Sequence, residues 1–122
     1  MSRIMKSSHI AAEHDPRGLT ATDPGAKFDA GKVRPSLILN AMPLAILAVS
    51  EVGTYGASKY SENGWKDMDN GIARYTDAMD RHRIKEGLEV FDEDSNLRHA
   101  AQVAWNALAR LVLMLCEFRS TP

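Results

Sequence analysis

Apolar residues repeat along the chain at the three- and four-residue spacing of amphipathic α-helices, in three separate blocks. These blocks predict helices from Pro43 to Tyr55, from Ile72 to about Lys85, and from about Asn96 to Phe118. Pro43 suits a first helical turn, and Asp94-Ser95 is typical of the cap that precedes a helix. No segment alternates apolar and polar residues in the manner of a strand. We therefore expect an all-α helical bundle.

The third predicted helix is the longest, and its apolar residues form a continuous stripe that should face the core. His99, Asn106 and Arg110 lie nearly opposite this stripe. They would form a solvated polar face, or part of a second buried surface such as an oligomer interface, since Val103 and Leu113 add apolar area there. The predicted core stripe consists of Leu97, Ala101, Ala104, Leu108, Leu111, Val112 and Leu115.

One carboxylate falls on the apolar face of the first predicted helix. At about 100° per residue, Glu51 shares a face with Leu47, Ala48 and Tyr55, where the pattern requires a core residue. A buried carboxylate needs a partner, because its charge is costly to remove from water. That partner would be a neutralising Arg or Lys, or a divalent cation in a functional site.

The second predicted helix carries Asp77 and Asp80 three positions apart, and therefore on one face. This spacing suits two ligands of a metal ion. It suits ion pairs on a solvated surface equally well, with Asp77 paired to Arg81 and Asp80 paired to Arg83 or Lys85.

Two segments outside the helices carry residue types that suit a nucleotide. Three cations close together in the first segment could hold a polyphosphate, or they are ordinary solvated charges. Aromatic rings in the second could stack on a base beside an amide that reads its edge, or they pin the loop to the core. The first segment contains Lys27, Lys32 and Arg34, and the second contains Lys59, Tyr60, Asn63 and Trp65.

The N-terminal part of the chain differs from the rest in its composition. Residues 1–24 mix polar, charged and small residues without helical or strand periodicity, so we expect a mobile arm before a domain of residues 25–122. The pair His14-Asp15 also occurs in metal phosphohydrolases. In a short mobile arm such a dipeptide is interpreted as a chance match.

Composition narrows the function classes. A formal net charge of −1 provides no field to attract nucleic acid, so a small ligand is favoured. The single cysteine, Cys116, cannot form an internal disulfide, and the N-terminus lacks the apolar run of a signal peptide. No apolar run reaches the ~18 residues that span a bilayer. We expect a cytoplasmic protein with no membrane partner.

The residues that remain for chemistry are mainly carboxylates, because the chain has no Gly-rich phosphate loop and no zinc-type Cys/His spacing. Hard oxygen ligands select Mg²⁺ or Mn²⁺. These ions bridge phosphates and activate water, so the residues allow attack on a phosphorus of a nucleoside triphosphate.

Several short motifs occur in order along roughly residues 25–115, and their combination is more specific than any single one. They are Lys-Phe-Asp-x-Gly-Lys-x-Arg from Lys27, Gly-Ala-x-Lys-Tyr from Gly56, Asn63 with Trp65, Arg-Tyr-x-Asp-Ala from Arg74, Arg81-His82, and Asp94-Ser95-x-x-x-His99. Together they resemble the phage dATP/dGTP diphosphohydrolases, which belong with the MazG-like, all-α nucleoside triphosphate pyrophosphohydrolases.

The resemblance implies hydrolysis of dGTP or dATP to the monophosphate and pyrophosphate, with two or more Mg²⁺ or Mn²⁺ ions held by acids from different helices. It also implies a bundle completed by oligomerisation, as a homo-tetramer or, alternatively, a dimer. One branch, similar to the enzyme called MazZ, makes dGMP for phages that replace adenine with 2-aminoadenine, and the chain resembles that branch. A phage-encoded protein of this kind would act in the host cytoplasm.

By the same resemblance, the expected metal ligands are Glu51, Asp77 and Asp94, with Asp80 as a replacement ligand. The wider MazG-like pattern has Glu-x-x-Glu on one helix and Glu-x-x-Asp on another, and neither is present on the predicted helices of this chain. Two histidines are expected to contact phosphate or support the ligands, four cations to hold phosphates, and three residues to lie near the sugar or base. The two histidines are His82 and His99, and the four cations are Lys27, Lys32, Arg34 and Lys59. The three residues expected near the sugar or base are Tyr60, Asn63 and Trp65.

Two functions of other classes fit the same residues. A non-catalytic adaptor would oligomerise through the third helix and grip a partner with the loop of residues 59–65. A purine-nucleotide sensor would bind the nucleotide without turnover. Metal plus nucleotide should stabilise an enzyme or a sensor against heat but not an adaptor, and product analysis separates the first two.

Overall fold

The computed structural model describes residues 13–120, with side chains up to Glu117. Within this part of the chain the structure is helical, with one isolated antiparallel bridge between Phe91 and Arg98 and no sheet. The prediction of an all-α fold is therefore confirmed. None of the described helices has the length and apolar character that crossing a membrane requires. The helices are α1 (Ser36–Leu39), α2 (Pro43–Lys59), α3 (Gly71–Lys85) and α4 (His99–Ser120), with a 3₁₀ helix at Gly64–Asp67.

The chain divides into two compact units, Met1–Leu37 and Ile38–Pro122. In the described part of the first unit, the buried Asp15 accepts hydrogen bonds from the backbone amides of Lys27 and Arg17, each at 2.7 Å. These bonds, led by that of Lys27, hold the pKa of the Asp15 carboxyl below its usual value. The boundary predicted at residue 24 falls inside this unit. Residues 1–12 of the predicted arm lie outside the described residues, and its mobility stays a prediction.

The second helix of the fold, α2, packs through a different face from the one its pattern predicted. Its buried residue is Val52, and the neighbouring Gly53 lets the indole of Trp105 in α4 approach within 3.3 Å of the position a Cβ would take. Glu51 is exposed, and Leu47 is 62% exposed. The expectation of a buried carboxylate is therefore wrong for the single chain, because the Glu51 side chain lines two grooves beside α2 and is exposed there.

The longest helix, α4, likewise turns an unexpected face to its neighbours. His99 and Asn106 are buried, whereas Leu108 and Leu111 of the predicted core stripe are 54% and 48% exposed. Of that stripe only Ala101 is buried among the described side chains. The predicted orientation of α4 is therefore wrong: His99 and Asn106 face inward, and Leu108 and Leu111 face outward.

Hydrogen bonds explain why polar residues of α4 can be buried. The Asn106 Nδ2 donates to the backbone carbonyl of Gln102 at 2.8 Å, and the Arg110 Nε donates to the Thr76 Oγ1 of α3 at 2.9 Å. A buried polar group costs little when its donors and acceptors are paired. No buried side-chain nitrogen or oxygen in the described part lacks a partner.

The start of α4 also differs from the prediction. Asp94 and Ser95 lie in a turn before the helix, where the Ser95 Oγ accepts a hydrogen bond from the backbone amide of Leu97 at 3.2 Å. Asn96 adopts a left-handed conformation with φ of 59°, which interrupts a helix. The helix therefore begins at His99 rather than at Asn96.

Three aromatic rings tie the 3₁₀ helix, α3 and α4 together. Trp65, Tyr75 and Trp105 pack edge to face, with ring centroids 5.6–6.4 Å apart. The Tyr75 hydroxyl also donates a hydrogen bond to the backbone carbonyl of Trp65 at 3.1 Å. This cluster holds the segment between α2 and α3 against the helices.

Candidate functional site

Glu51 lies where two grooves beside α2 meet. The larger groove is open, has a volume of about 640 Å³, and is lined by one face of α2, including Tyr55, and by Leu97. The smaller groove, of about 150 Å³, shares Glu51 and Leu97 and adds Phe91 and Arg98. Small-molecule sites are typically ~300–1,000 Å³, so the larger groove has the volume of a ligand site.

A cation and two phenol rings lie at the C-terminal end of α2. The Lys59 Nζ is 5.2 Å from the ring centroid of Tyr60 and 5.9 Å from that of Tyr55, which lines the larger groove. A hydrogen bond with Tyr60, together with the charges of Tyr60, Tyr55 and Asp94, raises the pKa of Lys59. Tyr55 lines the same groove as Glu51 and also lies near Lys59. Lys59 in turn lies near Tyr60 and is affected by the charge of Asp94.

Other predicted site residues occupy separate places. Lys27, Lys32 and Arg34 belong to the first unit, where the Lys32 Nζ lies 3.2 Å from the Oε1 of Glu13 in an exposed ion pair. Their contact with phosphate stays a prediction.

The two acids of α3 are not part of a ligand cluster. Asp77 is exposed, and the Asp80 Oδ1 lies 3.8 Å from the Arg83 Nε, in one of the ion pairs expected for a solvated face. Within the described residues, Glu51, Asp77 and Asp94 do not bring ligand atoms within 4.8 Å of one another. Their joint role as metal ligands stays a prediction.

The loop residues expected near a base differ in their exposure. Asn63 is exposed and takes a left-handed conformation, with φ of 60°, ahead of the 3₁₀ helix. Trp65 is half-buried in the aromatic cluster with Tyr75 and Trp105. This packing pins the loop, and a contact between Trp65 and a base stays a prediction.

A second cluster of chemical groups joins α3, the start of α4 and the segment between them. His82, Asp92 and His99 each offer a ligand atom, and these atoms all lie within 4.8 Å of one another. The two imidazole Nδ1 atoms are 2.9 Å apart, and the His99 Nε2 is 2.9 Å from the Glu89 Oε1. No other group of three His, Cys, Asp or Glu is this close in the part of the chain that the structure describes.

The hydrogen bonds define the tautomers of the two histidines. An ionised carboxylate can only accept a hydrogen bond. The His99 Nε2 therefore carries a proton and donates a hydrogen bond to Glu89. If His99 carries only that proton, its Nδ1 accepts a hydrogen bond from the Nδ1–H of His82. Because the His99 side chain has 0% exposure, it cannot contact a phosphate directly. Of the two roles expected for His99, only the supporting one fits.

The charge state of the cluster follows from its surroundings. Burial lowers the pKa of His82 against the opposing negative charge of Asp92. For Asp92, burial alone would raise the pKa, but hydrogen bonds from Gln102 and from the backbone amide of Asp94 bring it below its usual value. At neutral pH the cluster therefore holds a neutral imidazole of His82 beside an ionised carboxylate.

Sequence reasoning missed Asp92, Glu89 and Gln102. Glu89 and Asp92 lie in the acidic run of residues 89–94, between the second and third predicted helices. The available signal was the pair of histidines, His82 and His99, that flank this run. Nothing in the periodicity says that the segment folds back between them.

A comparison with known protein families identifies this chain. The model of the family described as "dATP/dGTP diphosphohydrolase, N-terminal" matches residues 22–121. A search of curated proteins and a search of solved structures found no match.

Proposed function

The chain belongs to the dATP/dGTP diphosphohydrolase family, an enzyme family that hydrolyses nucleoside triphosphates, and from this premise we propose a specific reaction and site. The protein converts dGTP and dATP to the monophosphate and pyrophosphate in a metal-dependent reaction. The observation that carries the proposal is the position of Glu51, an exposed carboxylate in an open groove of about 640 Å³ on the α2 face that includes Tyr55.

The proposed metal ligands are Glu51, Asp77 and Asp94. All three are exposed carboxylates, and Mg²⁺ and Mn²⁺ prefer such oxygen donors, so the chemistry of the set fits these ions. When bound, Mg²⁺ or Mn²⁺ neutralises phosphate charge and lowers the pKa of a water molecule. Glu51 supplies negative charge inside the groove, and Asp94 adds to it near Lys59.

The protein's own groups would bind and orient the nucleotide. Lys59, whose pKa is raised, stays cationic and attracts the phosphates into the groove. Tyr60 is exposed beside it and can take a sugar or base on its ring. Asn63 and Trp65 complete the base-side contacts.

In the cell, the reaction would control the purine deoxynucleotide pool or supply dGMP for 2-aminoadenine DNA synthesis in a phage-infected cytoplasm. The family membership supports a nucleotide substrate.

Assembly is part of the proposal. Leu47, Leu108 and Leu111 expose apolar side chains on α2 and α4, which supports a homo-tetramer built as a pair of dimers, with a dimer as the alternative. A neighbouring subunit would complete the site around the acids that one chain leaves apart. Light scattering at micromolar concentration should detect a species heavier than one 13.5 kDa chain. A stable, active monomer would contradict this expectation.

The substrate test is a comparison of four nucleotides. Purified protein is incubated with Mn²⁺ and each deoxynucleoside triphosphate in turn, and the loss of each is followed by chromatography. We expect dGTP and dATP to be consumed at least about tenfold faster than dCTP and dTTP, a discrimination of about 1.4 kcal/mol. Equal consumption of all four would contradict the purine preference. Thermal stabilisation by nucleotide and Mn²⁺ without consumption would indicate a sensor, and the absence of both would indicate an adaptor.

A further inference from the structure

We propose that His82, Asp92 and His99 form a metal site distinct from the Glu51 grooves, which binds a divalent transition-metal ion and fixes the segment between α3 and α4. None of the three residues lines either groove, and none belongs to the proposed Mg²⁺ ligand set. The site does not depend on the proposed hydrolysis.

The ligand atoms already have nearly the required spacing. Metal–nitrogen distances in proteins are about 2.0–2.1 Å, so two imidazole nitrogens on one ion lie about 3–3.5 Å apart. The Nδ1 atoms of His82 and His99 are 2.9 Å apart, and the ligand atom of Asp92 completes a group within 4.8 Å. A small outward shift of His82, which is only half-buried, makes room for an ion.

Glu89 orients His99 as a ligand. Because its Nε2–H is donated to Glu89, the lone pair of the His99 Nδ1 points to the cluster rather than to solvent. Metal-binding histidines commonly use their second nitrogen in this way, with a carboxylate that fixes the ring and strengthens the ligand. In the metal-free chain that lone pair accepts a hydrogen bond from the Nδ1–H of His82. On metal binding, His82 releases its Nδ1 proton to solvent and takes one up at Nε2, so its charge is unchanged.

Two hydrogen bonds also hold the Asp92 carboxylate in position. Its Oδ2 accepts a hydrogen bond from the Gln102 Nε2 and its Oδ1 accepts one from the backbone amide of Asp94, both at 3.1 Å. Each carboxylate oxygen keeps a second lone pair that these bonds do not use. The carboxylate is therefore held in place and still able to bind an ion.

The donor set selects the class of metal. Two imidazole nitrogens and one carboxylate oxygen suit Zn²⁺, Co²⁺, Ni²⁺ or Mn²⁺, whereas Mg²⁺ prefers oxygen donors throughout. Three protein ligands leave the remaining positions to water. We therefore expect Zn²⁺ and Co²⁺ to bind here much more tightly than Mg²⁺.

The location gives the ion a structural consequence. Its ligands come from α3, from the segment before α4, and from the first residue of α4. Phe91 and Arg98, each adjacent in sequence to a ligand, line the smaller groove together with Glu51. An ion bound by all three ligands would hold this wall of the groove in place.

The experiment uses the full chain, freed of metal with a chelator, and Co²⁺ as the probe without nucleotide. We expect one Co²⁺ per chain, visible absorption bands that indicate nitrogen ligation, displacement by Zn²⁺, and no displacement by a 100-fold excess of Mg²⁺. Because no nucleotide is present, the result does not depend on whether dGTP is hydrolysed. A folded wild-type chain that gives no such bands would overturn the proposal.

Variants locate the ion. Asp92→Asn removes a ligand charge and should weaken Co²⁺ binding at least 100-fold, and Glu89→Gln, which removes only the support for His99, should weaken it by about 10–100-fold. Glu93→Gln changes an exposed acid next to Asp92 and should leave the affinity unchanged. Circular dichroism confirms that each variant is folded. The buried His99 is left unchanged, because a substitution at a buried residue disturbs the fold more readily. Wild-type affinity in both Asp92→Asn and Glu89→Gln would overturn the proposal.

Discussion

Replacing Glu51 with glutamine should lower kcat for dGTP by at least about 100-fold, because the amide keeps the shape of the side chain but loses the charge that a divalent ion requires. Glu51 is exposed, and glutamine keeps the shape of its side chain, so the change should have little influence on the fold. We therefore expect the free energy of unfolding to stay within about 0.5 kcal/mol of the wild-type value. Steady-state kinetics with Mn²⁺ and urea denaturation measure the two quantities.

The control for this variant is Glu86→Gln, which makes the same chemical change on an exposed residue at the end of α3. Its kcat and stability should both match the wild type. If Glu51→Gln kept wild-type activity and wild-type affinity for Mn²⁺, the assignment of Glu51 to the metal would be wrong.

Replacing Trp105 with alanine should lower the free energy of unfolding by about 3 kcal/mol or more, as is typical when a large packed aromatic side chain is truncated. Its ring packs edge to face against both Trp65 and Tyr75, and its indole lies against Gly53 of α2. The change therefore weakens the contacts that α4 makes with α2, α3 and the 3₁₀ helix together. Urea denaturation followed by circular dichroism gives the value, at one protein concentration for all variants because an oligomer's stability depends on concentration.

Two further substitutions calibrate the Trp105 result. Tyr75→Phe keeps the ring and removes the hydrogen bond to the Trp65 carbonyl, so it should cost only about 1 kcal/mol. Leu88→Ala truncates a side chain that is almost fully exposed and should have almost no effect. A loss for Trp105→Ala no larger than that for Leu88→Ala would show that the aromatic cluster does not hold the helices together.

Periodicity was enough to predict the three long helices, though not α1 or the 3₁₀ helix, and it did not predict the faces through which they pack. The spacing of apolar residues identified α2, α3 and α4 to within a few residues at most ends. It could not show that Asn106 would be buried and Arg110 half-buried, because both depend on hydrogen bonds to the backbone and to α3 that no pattern along one helix contains. It also assigned Leu108 and Leu111 to the core, whereas the single chain leaves them exposed.

The candidate site was predictable where its residues are close in sequence. Lys59 and Tyr60 follow directly from the end of the helix that carries Glu51, so local spacing places them together. The His82, Asp92 and His99 cluster depends instead on how the segment between α3 and α4 folds back, which is a property of the tertiary structure. The same reason explains why the predicted metal acids, drawn from three segments, are not assembled by the single chain.

The central claim is that the protein is a pyrophosphohydrolase of purine deoxynucleoside triphosphates. The most direct test is to identify the products that the protein forms from dGTP in the presence of Mn²⁺. Phosphorus NMR and chromatography of the same incubation should identify dGMP and pyrophosphate in equal amounts from the first turnovers, with no dGDP. Accumulation of dGDP with inorganic phosphate would contradict the account, because it would mean that the terminal phosphate is removed alone.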